Sequence, residues 1–280
     1  MKNILIATDF SDNAGDALDY AINMLGGTKA NLHIIHIVQL NSTTNDVAID
    51  SDNLINEKLN EAKIAMEVIE DYSKMYFGNE EGTQIKISTS VSIGSVANSI
   101  KEKAAKLRTD LIIMGTQGSE HSFMKKMLGS ISTHVITLAP CPVILVPRGY
   151  KLQAIDNIIF ATNLNHSDPY ELWRATELIK PYVDKIRCLH VLAAMKKVDK
   201  SELETFASYM IDHSPSMQTI FNVEESDSIE RTLSKYTENY DAEIIIMHRS
   251  KKTIWKDPFG LGLTRRMSSW IRTPLMILEG

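Results

Sequence analysis

Short apolar segments alternate with longer amphipathic segments along the first half of the chain. The short segments are rich in β-branched residues and apolar on both faces, as buried parallel strands are. They read KNILIAT, ANLHIIHIV, TQIKISTSV, DLIIM and PVILVP. Helical patterns lie between them, and the clearest runs from Asn53 to Phe77, where apolar residues recur at helical spacing among Glu and Lys. Five strands separated by helices predict a doubly wound parallel sheet.

The same pattern is repeated in the other half of the chain. NILIATDFS, which begins at Asn3, reappears as NIIFATNLN, which begins at Asn157. IIHIV around His36 reappears as CLHVL around His190, again 154 positions later. Further along, DLIIMG matches EIIIMH, and PVILV matches PLMIL. Self-similarity of this kind indicates a tandem duplication of one structural unit.

We therefore predict two tandem α/β domains, at residues 1–149 and 155–280, each doubly wound around a five-stranded parallel sheet. Their last strands, PVILV and PLMIL, are candidates for pairing with each other, since an unpaired apolar edge strand is a liability. The chain would then be an internal pseudo-dimer, and two chains could associate further as a homodimer.

The composition argues against several classes of partner. The net charge of −5 disfavours a broad surface for nucleic acid or an anionic membrane. No segment reaches the roughly 18 uninterrupted apolar residues of a membrane span, so we expect a cytoplasmic location. Cys141 and Cys188 lie far apart in or beside apolar strand-like segments, which predicts buried, reduced thiols. His36 and His190 occupy equivalent positions, which favours a structural role over a metal site.

Glycines follow the fourth predicted strand of the first copy. Gly115 and Gly118 come directly after it, and Gly129 precedes Ser130 at the start of a helix. Glycine lets backbone N–H groups approach an oxygen-rich ligand, and a helix N-terminus carries a partial positive charge. Together they would form a cradle for phosphate groups. The alternative is that the glycines only shape a tight turn and a helix entry.

Asp9 lies at the end of the first predicted strand, at the sheet edge where the glycines are expected. Ligands of doubly wound sheets bind at the carboxyl ends of the strands, where the chain order reverses. A carboxylate there can accept hydrogen bonds from ribose hydroxyls or an adenine amine. The alternative is that Asp9 caps a helix or a turn.

The segments ILIATDFS, LIIMGTQG…LGS and CPVILVP resemble the universal stress protein family, and the resemblance covers both copies. It implies a Rossmann-like fold of the adenine nucleotide α-hydrolase type. Members that bind ATP share a pattern of glycine, two residues, glycine, nine residues, glycine and Ser or Thr. By that match, the nucleotide site would contain Asp9, Val38, Met114, Gly115, Gly118, Gly129, Ser130 and Ile131.

Two details of that match remain open. Ile37 could occupy the place of Val38 after a shift of one residue. Ten residues, rather than nine, separate Gly118 from Gly129, which puts the triphosphate contacts in doubt more than the adenosine contacts.

The second copy lacks the features of this site. Asn163, His248, Lys251 and Leu263 stand where the first copy has Asp9, Gly115, Gly118 and Ser130. We predict that a side chain at His248 or Lys251 fills the crevice, so that this domain binds no nucleotide in the same way. The alternative is that His248, Arg249, Lys251 and Lys252 form a basic site for another anion.

The resemblance implies a stress-response module that binds ATP, with Mg²⁺ accompanying the nucleotide, in the N-terminal domain only. It would act through an unidentified protein partner and hydrolyse ATP slowly at most. One alternative is a scaffold that binds no nucleotide, or binds another small ligand. An adenylating or α-hydrolase enzyme is disfavoured, because the first strand ends in ATDFSD, without a Ser-Gly-Gly-type pyrophosphate loop.

Overall fold

A computed structural model describes residues 1–39, 48–77, 84–116, 130–179, 183–192, 199–213, 216–249 and 272–279. The strands are β1 (Lys2–Thr8), β2 (Lys29–Val38), β3 (Gln84–Ile93), β4 (Leu111–Gly115), β5 (Val143–Val146), β6 (Asn157–Ala161), β7 (Val183–Leu192), β8 (Ser216–Glu225), β9 (Ile244–Arg249) and β10 (Leu275–Glu279). The helices are α1 (Asp12–Leu25), α2 (Ala48–Phe77), α3 (Val96–Leu107), α4 (Ser130–Leu138), α5 (Asp168–Ile179), α6 (Lys200–Asp212) and α7 (Ile229–Asn239).

All of these strands belong to one ten-stranded sheet, in the order β3-β2-β1-β4-β5-β10-β9-β6-β7-β8. Each half is parallel, and the two halves have the same internal order when read from the outer edge inwards. β5 and β10 meet antiparallel at the centre, with Ile144 opposite Met276. The predicted fold class and the predicted pairing of PVILV with PLMIL are therefore confirmed. The domain boundaries at 149 and 155 stay predictions.

Helices cover both faces of the sheet. One layer contains α1, α2, α5 and α6, and its core runs without interruption across both halves. The other layer contains α3, α4 and α7, and its core also contains residues of both halves. Side chains of a strand point alternately to the two layers, so Ile4 and Ile6 face α1 and α2, whereas Leu5 faces α3 and α4. This alternation decides which side chains reach each side of the candidate site.

Local sequence explains where the helices of the first copy begin. Ser11 and Ser95 are the N-cap residues of α1 and α3, and the Oγ atom of Ser11 accepts a hydrogen bond from the Ala14 N–H. α2 starts at Ala48, earlier than the predicted Asn53. Helical hydrogen bonding can extend beyond the apolar pattern that packs on the sheet, and a pattern reveals only the packed part. Among the helices in the described ranges, none is long and apolar enough to cross a membrane.

The segment that connects the two copies, at residues 149–151, forms hydrogen bonds with both of them. The Gly149 N–H donates to the Asp16 carboxylate of α1 at 2.6 Å, and the Lys151 ammonium group lies 3.3 Å from the same carboxylate. On the other side, the Tyr150 hydroxyl donates to the backbone oxygen of Glu243, just before β9, at 3.1 Å. The two halves are thus joined by the sheet, by the cores on both of its faces and by their connecting segment.

Candidate functional site

The first copy has its chain reversal between β1 and β4, because β2 lies on one side of β1 and β4 on the other. Asp9 follows the end of β1, and Gly115 is the last residue of β4. The Ser132 hydroxyl lies 3.3 Å from the backbone oxygens of both Gly115 and Thr116, as a donor. These hydrogen bonds hold the first turn of α4 at the end of β4. The N-terminus of α4 therefore lies at the sheet edge where such folds bind ligands.

Asp9 is half-buried and is oriented by the residue that caps α1. Its Oδ1 atom accepts hydrogen bonds from the Ser11 backbone N–H at 3.1 Å and from the Ser11 hydroxyl at 2.6 Å. Asp9 therefore does stabilise the turn that leads into α1, which was one of the two roles that the sequence left open. It fixes the direction of the carboxylate, which is compatible with a second role in binding a ligand.

Gly115 is a glycine for a packing reason. A Cβ atom at this position would lie 2.8 Å from the Asn13 side chain and 2.9 Å from its backbone oxygen, which is closer than real Cβ atoms approach. Asn13 is buried in α1, donates to the Val146 backbone oxygen at 3.0 Å and accepts from the Thr116 hydroxyl at 3.3 Å. Gly115 therefore admits α1 to the end of β4, whether or not a phosphate lies nearby.

Met114 and Ile37 are buried on the face that α3 and α4 cover. By strand alternation, Val38 lies on the opposite face from Ile37, and its backbone oxygen accepts a hydrogen bond from the Gly94 N–H at 3.1 Å. The side chain of Ile37, unlike that of Val38, therefore lies on the same face as Met114 and could contact a ligand beside it. A contact through the backbone of Val38 stays a prediction. Ile131, in the first turn of α4, is 36% exposed.

Part of the predicted site lies outside the described residues. This holds for Gly118 and Gly129 in the first copy, for Lys251, Lys252 and Leu263 in the second copy, and for the side chains of Ser130 and Arg249.

His36 and its counterpart His190 are structural. The Nδ1 atom of His36 lies 2.9 Å from the Thr8 backbone oxygen, and that of His190 lies 3.0 Å from the Thr162 oxygen. Because a carbonyl oxygen only accepts, Nδ1 carries the proton in both rings. The ring of Phe10 also stacks on His36 at 4.2 Å. Both rings are thus held by the same backbone contact, as their equivalent positions predict, and the absence of a metal-binding role stays a prediction.

In the second copy, side chains fill the equivalent edge of the sheet. Thr162 donates its hydroxyl proton to Oδ2 of the fully buried Asp168 at 2.5 Å, and the Asn165 N–H donates to the same atom at 3.2 Å. The imidazole of His248 is 11% exposed, and its Nδ1 atom lies 3.8 Å from Asp168 Oδ1. Within the described ranges, Asp168 Oδ1 and both imidazole nitrogens have no hydrogen-bond partner. Sequence reasoning found His248 but missed Asp168, which stands at the start of α5 like an ordinary helix-initiating acid.

The two cysteines are free and buried, as predicted. Burial raises the pKa of both the Cys141 and the Cys188 thiols to about 12. In the part of the chain that the structure describes, no three His, Cys, Asp or Glu residues converge as metal ligands would.

Two parallel, doubly wound half-sheets with switch points define an α/β protein of the Rossmann-like type. The model of the universal stress protein family matches residues 1–147. The chain is 35% identical over 150 residues to a universal stress protein of Methanocaldococcus jannaschii, which covers 54% of this chain and 84% of that protein. It is 30% identical over 150 residues to YxiE, a universal stress protein of Bacillus subtilis, covering 52% of this chain and 98% of that protein. The chain belongs to the universal stress protein family.

Solved structures show the same fold over the whole length. The universal stress protein from Archaeoglobus fulgidus superimposes with a TM-score of 0.71 at 14% identity, covering 99% of this chain and 96% of that one. One from Pseudomonas aeruginosa, described as putative, gives a TM-score of 0.63 at 14% identity, covering 100% and 93%. At such low identity, the similarity concerns the fold alone.

Proposed function

We propose that the protein binds ATP in its first copy, at the carboxyl ends of β1 and β4, and acts in the stress response as a nucleotide-dependent binding or signalling module. The observation that best supports this proposal is the position of α4. Ser132 holds the first turn of that helix at the end of β4, where the strand order reverses. Free backbone N–H groups and the helix dipole then favour an anionic ligand there.

The residues at this edge would divide the nucleotide between them. Asp9 would bind the adenosine part, with Ile37 or Val38 beside it, and the N-terminus of α4 would face the phosphates. Mg²⁺ would arrive with ATP. We propose that hydrolysis is slow at most, because Asp9 already accepts two hydrogen bonds from Ser11 and is a weak candidate for a general base.

The second copy would serve as a partner domain without a nucleotide, since Asp168 and His248 occupy the equivalent edge. An unidentified protein would respond to the nucleotide state of the first copy. We also propose a cytoplasmic location, in agreement with the two unpaired, buried thiols.

Exchanging one residue between the copies tests the ATP site. Asp9→Asn gives the first copy the residue of the second, and the amide oxygen can still accept from Ser11, so the fold should be retained. Isothermal titration with MgATP should give one equivalent for the native chain and about tenfold weaker binding for Asp9→Asn, since hydrogen bonds to charged groups contribute roughly 1.5–3 kcal/mol.

The control is Asn163→Asp, which should leave both stoichiometry and affinity unchanged. When the purified native-sequence protein is denatured, mass spectrometry of the released small molecules should detect ATP or ADP at no more than one equivalent per chain. Two equivalents would contradict the assignment to one copy. A native chain that ignores ATP in titration and in thermal unfolding would instead support the scaffold alternative.

A further inference from the structure

A cavity of about 430 Å³ lies between α1 and α2 in the first copy. It adjoins the proposed nucleotide site, since Thr8, Phe10 and Ser11 in its lining flank Asp9, and it extends away from that site on the face of the sheet opposite to Met114 and Ile37. Its floor is formed by the buried Ile6 and Ile34, and the exposed Val68 of α2 lies at its mouth. Among the described residues, none that lines it is charged. The volume falls within the range of small-molecule sites, which are mostly apolar with a few polar groups.

Two small residues of α1 keep this cavity open. Ala14 and Gly15 both line it. A Cβ atom at Gly15 would meet nothing within 4 Å, so packing does not require a glycine there. Glycine inside a helix costs roughly 0.5–1 kcal/mol relative to alanine. The chain therefore retains a destabilising residue at a position where its effect is to enlarge the cavity.

The cavity contains one buried hydroxyl whose proton is not used. Thr8 lines it, is 9% exposed and accepts a hydrogen bond from the Phe10 N–H at 3.1 Å. The Thr8 hydroxyl donates to no residue in the described ranges. A buried donor without an acceptor is costly, so such a group usually faces a partner.

The second copy shows which partner suits this threonine. Thr162, the equivalent of Thr8, donates to a carboxylate oxygen of Asp168 at 2.5 Å. Asp168 stands at the repeat position of Ala14, again 154 residues later. The second copy thus supplies from its own chain an acceptor oxygen beside the threonine, and the first copy has a methyl group and a cavity instead.

We propose that this cavity binds a medium-chain fatty acyl compound, as the free acid or as an ester. Its carbonyl oxygen accepts the hydrogen bond from Thr8, as the oxygen of Asp168 does from Thr162. Its aliphatic chain lies over Ile6 and Ile34, between α1 and α2, and leaves past Val68. Burial of the chain among apolar side chains provides the affinity, and the threonine fixes the orientation.

Displacement of a fluorescent apolar probe from the full-length protein tests the proposal. N-phenyl-1-naphthylamine should bind with enhanced fluorescence, and decanoic acid and methyl decanoate should compete with it. Displacement by both indicates recognition of the carbonyl oxygen, and displacement by the acid alone indicates a carboxylate. Failure of both competitors would overturn the proposal. Displacement of the probe by ATP would also overturn it, because the probe would then occupy the nucleotide site.

Three variants test whether the ligand binds in this cavity beside Thr8. Thr8→Val should weaken binding about three- to tenfold, the usual effect of one lost hydrogen bond, while Thr8→Ser retains the hydroxyl and the native affinity. Ala14→Asp gives the first copy the internal acceptor of the second and should abolish binding. Thr205→Val, which removes an exposed hydroxyl of α6 in the other half, is the matched control. Equal affinities of Thr8→Val and Thr205→Val would overturn the role of Thr8, even if Ala14→Asp fails to fold.

Discussion

At the scale of single residues, the two copies solve one packing problem in two ways. In the first copy, the end of β4 carries Gly115, and α1 fills the space with the hydrogen-bonded side chain of Asn13. In the second copy, the end of β9 carries His248, and α5 meets it with Asp168. A neutral, satisfied contact in one half corresponds to an ionisable contact in the other.

Replacing Gly115 should therefore destabilise the fold without involving any ligand. In Gly115→Ala the new methyl group lies too close to the backbone and side chain of Asn13, and overpacking of this kind costs about 1–3 kcal/mol. Urea unfolding measures the loss. The control is Gly15→Ala, where the methyl group has open space and the better helix propensity should stabilise by about 0.5–1 kcal/mol. Equal effects of the two changes would contradict the packing argument.

At the scale of elements, the antiparallel pair of β5 and β10 decides the architecture. Ile144 and Met276 face each other across this pair, and both are fully buried. The pairing turns the inner edge strand of each half into an interior strand, which removes two apolar edges at once. The remaining edges of the described sheet are β3 and β8.

A charge placed in the central pair should disrupt both halves. Met276→Lys buries an ammonium group in the core, and an unpaired buried charge is among the most destabilising changes known. We expect a loss of at least about 3 kcal/mol in the free energy of unfolding. Met75→Lys on the exposed side of α2 should change it by no more than about 0.5 kcal/mol. A Met276→Lys chain as stable as the Met75→Lys chain would show that the pair contributes little.

At the scale of the whole molecule, the two halves share one sheet, and the core on each face of that sheet contains residues of both halves. The connecting segment adds contacts to Asp16 on one side and to Glu243 on the other. We therefore expect the halves to unfold together rather than as independent domains.

The buried acids of both halves should make the fold sensitive to alkali. Burial raises the pKa of Cys141, Cys188 and Tyr150 to about 12, from ordinary values of 9.0 for the thiols and 10.0 for the phenol. The unfolded chain loses these protons first, so their contribution is complete below pH 9 and is lost as the pH rises towards 12. The free energy of unfolding should fall by up to about 1.4 kcal/mol per thiol and pH unit above 9.

Urea unfolding on both sides of pH 9 measures this dependence. A chain with both cysteines changed to alanine should lose a large part of the slope between pH 9 and 10, where the thiols of the unfolded chain ionise ahead of its tyrosines. An unchanged slope in that interval would show that other groups cause it.

The sequence predicts the fold better than the site, for a physical reason. Strand periodicity and the repeat are local signals, and they correctly give the parallel halves and the pairing of PVILV with PLMIL. Asp9 and Gly115 could be named because they end strands. Asn13 could not, since its role depends on Val146, which is 133 positions away and becomes a neighbour only in the folded sheet. The same holds for Thr8. That its hydroxyl donates to no described residue becomes evident only when α2 is packed against the sheet and forms the cavity beside it.

The antiparallel junction of β5 and β10 also has a genetic consequence. When two identical chains form such a sheet, every substitution appears in both chains. It must therefore be tolerated on both sides of the symmetry axis at once. Here the two sides are encoded separately, and the second half has Asp168 and His248 at the positions where the first half has Ala14 and Gly115. A single chain thereby always brings together two different halves in equal number, and each half can change without changing the other.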